Sequence, residues 1–225
     1  MKTVVMSLGG SLIAQDWINS SYLKKFSKLI NSLVRKGFKF VIVAGGGLPS
    51  RKYMSALRNS GFSEIECSHA GILVTKLNAF VVSKYLRTKS PVPGKISDVN
   101  KFLKKYKVVV CGGFKPNMTS DGDAANIARM LKTRVLFNLT NVDGLFDKDP
   151  NKFGSAKLIR NISSHEFLKI MKRIGHEAGQ HFVLDLEAAE VCKKGRIKVF
   201  ILNGLKLNNF SSCLSGKSFK GTTIY

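Results

Sequence analysis

Apolar and polar positions divide the chain into short, uninterrupted apolar runs and longer runs with helical spacing. Residues 4–6, 40–44, 107–111 and 135–139 read as strands, and their near-continuous apolar runs are the pattern of strands buried on both faces. Residues 197–202 and 222–224 predict two more strands. Between the first two, Tyr22, Leu23, Phe26, Leu29, Ile30 and Leu33 share one helical face, with Asp16 or Ser20 as cap and an end at Lys36–Gly37. A second helix is predicted from about Gly71 to Arg87. Its wide apolar face (Ile72, Leu73, Leu77, Phe80, Val81, Leu86) suits burial against the sheet or between subunits. Residues 90–94, "SPVPG", read as a loop. Further helices are predicted from near Asp123 (cap Thr119, Ser120 or Asp121), from Ser163 or Ser164, and over residues 185–192. Strands alternating with helices predict an α/β fold: a mostly parallel sheet covered by helices on both faces.

Three strands end in glycine. The first leads into Ser7, Leu8, Gly9 and Gly10, the second into Gly45, Gly46 and Gly47, and the third into Gly112, Gly113 and Phe114. A strand, a glycine turn and a helix together aim free backbone N–H groups at an anion, and the missing Cβ permits close approach of a phosphate. Arg51 adds a rigid fork of donors suited to phosphoryl oxygens. One such turn is equally well an ordinary strand–helix connection. Three suggest a sheet edge devoted to a polyanionic ligand. Neither common nucleotide fingerprint fits: the third dinucleotide glycine would fall at Ser50, and Gly216-Lys217-Ser218 lacks the P-loop glycine because position 211 is Ser211.

The 225 residues allow one large α/β domain or two closely joined lobes, and 44% hydrophobic with 23% charged content is that of a soluble globular protein. No run of about 18 apolar residues exists, so no membrane span is expected. The N-terminal apolar stretch is broken by Gly9 and Gly10 and has no small-x-small cleavage site before Asp16, so it reads as a strand rather than a signal peptide. Cys67, Cys111, Cys192 and Cys213 have no paired spacing and read as reduced thiols of a cytoplasmic protein. The formal charge of +23 changes the picture more. It would suit nucleic acid or anionic substrates. The cations are dispersed, however ("LKKF", "RKGFK", "KKYK", "MKRIG", "KKGR"), and aromatic and glycine RNA-binding signatures are missing. A solvated basic surface that attracts phosphorylated substrates is therefore favoured over a dedicated nucleic-acid surface.

His176 and His181 with Glu177 are spaced i, i+5 around Gly179, which does not make a zinc-protease helix, and no metal site is expected from side chains. His69 is a candidate base, but no Ser/His/Asp arrangement accompanies it. Asp143, Asp147 and Asp149 form an acidic loop without calcium-loop spacing, which leaves magnesium–nucleotide contact or turn chemistry.

The strings "SLGGSL", "VAGGGLPSRKY", "GILVTKLNA", "VVVCGGFKPNMTSDGDAA", "LTNVDGLFDKDP", "LDLEAAEVC" with "IKVFILNG", and terminal "GTTI" span nearly the whole chain. In that order they resemble the archaeal-type UMP kinases of the amino-acid kinase family. The first, second and fifth are shared across amino-acid kinases. The third, with Thr75 and Asn78 after Gly71, is similar to UMP kinases more narrowly. The resemblance implies a three-layer αβα sandwich in a single domain, about residues 1–132 forming the phosphoryl-acceptor lobe and about 133–225 the ATP-binding lobe. It also implies transfer of the ATP γ-phosphoryl group to UMP in pyrimidine nucleotide synthesis, Mg²⁺ with the ATP, and a cytoplasmic homohexamer with no membrane partner.

By position, Gly9 and Gly10 would lie against the ATP phosphates and count as catalytic together with Arg51. Gly46 would touch the UMP phosphate, and Gly47 with Arg51 the phosphoryl group in transfer, on its ATP side. Phe114, Lys115, Pro116, Asn117, Met118, Thr119 and Ser120 would wrap UMP, with Ser68 at its ribose. Thr140, Asn141, Phe146 and Asp149 would hold adenosine, Phe146 by packing on base or sugar. Such a site suits phosphoryl transfer, where positioning and charge neutralisation do most of the catalysis. Two departures stand out: Ser7 replaces a lysine carried by many family members, and Ser68 replaces an aspartate two residues before "AG". Two readings compete. One is a family enzyme with another small acceptor, such as an acyl-phosphate former or isopentenyl phosphate kinase, against which "GILVTKLNA" speaks. The other is a nucleotide- or nucleic-acid-binding relative without turnover, suggested by Ser7, Ser68 and the charge.

Overall fold

A computed structural model of the chain describes residues 2–150, 152–174 and 183–225; His176, Glu177, Gly179 and His181 lie outside them. The described elements are, in order, β1 (Lys2–Leu8), α1 (Gly10–Ile13), α2 (Ser20–Arg35), β2 (Phe38–Ala44), α3 (Gly47–Asn59), α4 (Glu64–Leu86), α5 (Ile96–Lys105), β3 (Val108–Cys111) and α6 (Ser120–Met130). They continue with β4 (Val135–Thr140), β5 (Asn161–Ile162), α7 (Ser164–Ile174), α8 (Leu186–Gly195), β6 (Lys198–Asn203), α9 (Leu207–Leu214) and β7 (Thr222–Ile224).

These seven strands form one sheet in the order β3-β2-β1-β4-β6-β7-β5. The first five are parallel neighbours, β7 runs antiparallel to β6, and β5 pairs parallel with β7. Period-two alternation sends Val5, Val41 and Val43 to one face, where α5, α6, α7 and α8 pack with Val99, Ile127, Phe167 and Ala188. Met6, Leu8 and Ile42 go to the other face, against α1, α2, α4 and α9 with Leu12, Phe26, Val82 and Phe210. Both faces are covered, which is why the strands read as near-continuous apolar runs. Phe26, Phe40, Phe167 and Phe210 are fully buried, each contributing about 1.5–3 kcal/mol of transfer free energy.

Several boundaries differ from expectation. The cap of α2 is Asn19, whose side chain accepts from Tyr22 N–H at 3.1 Å. Neither Asp16 nor Ser20 serves: Ser20 is already helical, and Asp16 meets Lys52 at the surface. The long helix α4 starts at Glu64, well before Gly71, because Ser63 and Glu66 exchange hydrogen bonds in a capping box. The string Ser63-x-x-Glu66 carried that signal, yet apolar periodicity begins only after it. α5, α9 and the two-residue β5 were not anticipated. By length and composition α4 could cross a membrane. In the fold, its Cys67, Asn78, Ala79, Val82 and Leu86 are buried among neighbouring elements.

From β1 the chain builds outward to β2 and β3, then returns to place β4 and β6 on the other side of β1. The crevice outside the carboxyl ends of β1 and β4 is thus the topological switch point, the general location for ligands in such sheets.

Candidate active site

The turns after β1 and β2 touch backbone to backbone. A Cβ on Gly10 would overlap Gly47 N and lie 2.5 Å from Gly47 Cα, and one on Gly45 would lie 2.6 Å from Gly10 N. Gly47 has φ +69°, a conformation that glycine adopts without steric cost. Gly9 N–H donates to Leu139 C=O at 2.8 Å, which joins the first turn to the end of β4.

One face of α4 holds two of the turns from behind. The buried Asn78 amide donates to the carbonyls of Gly45 (2.8 Å) and Gly46 (3.2 Å). Thr75 Oγ1 accepts from Gly113 N–H at 2.8 Å and donates to Ile72 C=O. With the loop carbonyls tied to α4, the first amides of α3, which lack intrahelical acceptors, point out of the helix end. Arg51, in α3, is exposed and makes no ion pair with any described residue.

The segment 114–120 is fixed at both ends and in its middle. Phe114 N–H donates to Asp123 Oδ2 at 3.1 Å. Asn117, at φ +59°, donates its N–H to Ser68 Oγ (3.1 Å), and Ser68 Oγ donates back to Asn117 Oδ1 (3.0 Å). Thr119 caps α6 by accepting from Gly122 N–H, and its hydroxyl donates to Asp185, which caps α8. Ser68 therefore touches the 114–120 segment directly, although 49 residues separate it from Asn117. His69 is an exposed residue of α4.

Two carboxylates support this region. Asp121 accepts from Ser7 Oγ (2.6 Å) and from the Asn138 amide (3.1 Å), so it bridges β1 and β4 beneath the crevice. Ser7 is thus committed to Asp121. Burial pushes both Asp121 and Asp123 up to about 6; the hydrogen bonds from Ser7 to Asp121 and from Phe114 to Asp123 only partly offset it. Because the folded-state value lies above the ordinary 3.8, stability present below about pH 4 is lost as pH rises through about 6. Asp123→Asn stays neutral and keeps an oxygen for Phe114 N–H. It is expected to be more stable than the parent by about 2 kcal/mol at pH 8, with the difference gone at pH 4. Denaturant melts at the two pH values check this; a pH-independent difference would contradict it.

On the other side of the crevice, Thr140 ends β4 and its carbonyl accepts from Gly204 N–H at 2.7 Å, with Asn141 adjacent. Asp143 accepts from Lys206 (2.6 Å), Lys220 (2.8 Å) and Asn203 (3.1 Å). Burial pushes its carboxyl up, but these three donors outweigh burial and hold it at about 2. Further along the loop, Phe146 bridges to Leu158, and the Asp149 carbonyl accepts from the N–H groups of Lys152 and Phe153. The "GTTI" string closes this side: Thr222 Oγ1 accepts from Leu145 N–H at 2.8 Å. Sequence reasoning overlooked Lys206 and Lys220 and saw Asp121 only as a cap. A charged residue in the first turn of an otherwise buried helix was the available signal for Asp121; the lysines left none. Among the described residues no three His, Cys, Asp or Glu side chains are arranged to hold a metal ion.

The model of the amino acid kinase family matches residues 2–203. Uridylate kinase of Archaeoglobus fulgidus is 35% identical over 222 residues, covering 98% of this chain and 99% of the relative. Uridylate kinase of Thermoplasma volcanium is 33% identical over 224 residues, covering 99% and 97%. The crystal structure of the Archaeoglobus fulgidus uridylate kinase aligns over 100% of both chains with a TM-score of 0.85 at 33% identity. Together with the glycine turns at the switch point, these matches place the chain in the amino acid kinase family, among its archaeal-type uridylate kinases.

Proposed function

We propose that the chain is a UMP kinase that transfers the γ-phosphoryl group of ATP to UMP, giving UDP and ADP for pyrimidine nucleotide synthesis. The observation that carries this reading is the backbone contact between Gly10 and Gly47, which brings two phosphate-type turns to one point at the start of α3, the helix that carries Arg51. Two anionic substrates meeting end to end need donors of this kind between them. In this reading Gly9 and Gly10 bind the ATP phosphates. Gly46 binds the UMP phosphate, and Gly47 with Arg51 binds the group in transfer. Phe114, Lys115, Pro116, Asn117, Met118, Thr119 and Ser120 enclose UMP; Thr140, Asn141, Phe146 and Asp149 hold adenosine. The β1–β3 half is then the acceptor lobe and the β4–β7 half the ATP lobe.

Mg²⁺ in such sites is held mainly by substrate phosphates, waters and one or two carboxylates, so the lack of a multi-acid cluster is compatible with it. Asp121, between Ser7 and Asn138, is the carboxylate we assign to its hydration shell. When bound, the ion neutralises charge on the β- and γ-phosphoryl oxygens. A homo-oligomer, a hexamer by resemblance, is supported by exposed Leu73, Leu77 and Phe80 along α4. A cytoplasmic location rests on four cysteines that are all free and buried.

ADP release from Mg·ATP on addition of UMP tests the activity itself. Ser68 tests the acceptor geometry. Its neutral hydroxyl is shared with Asn117, whereas a carboxylate there would make charge-assisted bonds to the ribose and reject deoxy analogues. Ser68→Asp is expected to raise the kcat/KM ratio of UMP over dUMP about tenfold, worth about 1.4 kcal/mol. An unchanged ratio in an active variant would show that position 68 does not face the ribose.

A further inference from the structure

The lysines and arginines dispersed along the sequence converge in space. Because β3, β2, β1, β4 and β6 are parallel neighbours, the segments leading into them all arrive at the sheet edge opposite the glycine turns. Those segments, residues 2–4, 34–40, 101–108, 129–136 and 193–199, carry lysines and arginines and no Asp or Glu. Lys107, Lys36, Lys2, Arg134 and Lys198, all exposed, follow one another in strand order. At about 4.8 Å between strands the row is about 20 Å long. At the β4 and β6 end it widens into a cleft of about 270 Å³ lined by Arg129, Lys132, Arg134 and Arg196. Lys132 and Arg196 take left-handed φ angles of 53° and 51° just past the ends of α6 and α8. None of the four forms an ion pair with a described residue. Asp121, Asp123, Asp143 and Asp185 sit near the carboxyl ends of the strands instead, and Glu166, beyond β7, is occupied in capping α7 with Ser163.

We propose that this edge binds the phosphate backbone of a nucleic acid without reading its bases. Cations in a row repel one another, and a polyanion relieves that repulsion while releasing counterions. The cleft is small for a whole nucleotide, whereas the row matches about six phosphates along one strand. Aromatic residues of the row, Phe38, Phe102 and Tyr106, are partly buried, so no stacking platform is offered to bases. Met130 is the exposed large apolar side chain of these segments, too little to seat the edge in a lipid surface. Attraction of substrates does not account for the row, since the glycine turns lie at the opposite edge.

The test is fluorescence anisotropy of labelled 20-base-pair duplexes of two unrelated sequences, titrated with the full chain at several salt concentrations. Equal saturable binding of both sequences is expected, with Kd on the order of 10⁻⁶–10⁻⁴ M near physiological salt. The triple variant Lys132→Glu, Arg134→Glu, Arg196→Glu should bind at least about tenfold more weakly and reduce the log–log salt slope by about 3. A control triple on the exposed face of α2, Lys24→Glu, Lys25→Glu, Lys28→Glu, should lose less than about threefold. Both triples should melt like the parent and keep its ADP release with UMP. Equal losses in the two triples would overturn the proposal, as would absence of saturable binding by the parent, or binding to anionic phospholipid vesicles but not to duplexes.

Discussion

Arg51→Ala should fold normally and lose about 10³-fold in kcat, with a much smaller change in KM for either substrate. Arg51 stands in the first turns of α3, exposed and without an ion pair among the described residues, in the helix that begins at Gly47, where Gly10 and Gly47 meet. In the proposed site a donor fork there would neutralise charge that is spread over the transferred phosphoryl group in the transition state, and arginines in this role contribute about 10³–10⁵-fold. An interaction made mainly in the transition state lowers kcat and kcat/KM together. Steady-state kinetics on the folded variant check this. A near-normal kcat would remove Arg51 from the catalytic machinery and leave it a surface residue.

Gly10→Ala should be nearly as damaging for a different reason. Its Cβ would collide with the Gly47 backbone, which cannot swing aside as a side chain could. Relief requires the two turns to separate, and a misplacement of about 1 Å between reacting groups can cost about 10²-fold in rate. Overpacking of this kind also destabilises by about 1–3 kcal/mol. Gly37→Ala provides the contrast. Nothing lies within 4 Å of its added Cβ, but φ is +92°, so it should cost about 1 kcal/mol in stability and leave turnover unchanged. Thermal melts and kcat on both variants separate strain from misplacement; equal turnover in the two would contradict the proposed meeting of the phosphate turns.

The legible parts of the chain were those with local causes. β1, β2, β3 and β4 are apolar over most of their length because helices cover both sheet faces, and the glycines after the first three announced the turns. Helices buried on a thin stripe were harder: α5 buries only Val99 and Leu103, too few positions for its periodicity to stand out beside its lysines. Hydrogen bonds across the fold left no trace in the sequence. Asp143 meets Lys206 and Lys220 more than 60 residues away, and Ser7 meets Asp121 at a separation of 114. Thr75 and Asn78 were visible through family resemblance, but their work, holding the glycine carbonyls and amides from behind, required α4 to be placed. The basic edge was illegible for a related reason: each cationic segment is short and unremarkable alone, and only the parallel order of the strands brings them together.

The most direct measurement is kcat/KM for ADP release from Mg·ATP across UMP, CMP, AMP, GMP and isopentenyl phosphate, with the phosphorylated product identified by mass. UMP kinase activity predicts UDP as product and a preference for UMP of at least about 100-fold, the size of discrimination that hydrogen-bonding pockets achieve with ease. Comparable values across the panel, a preference for isopentenyl phosphate, or no turnover with UMP by folded protein would contradict it.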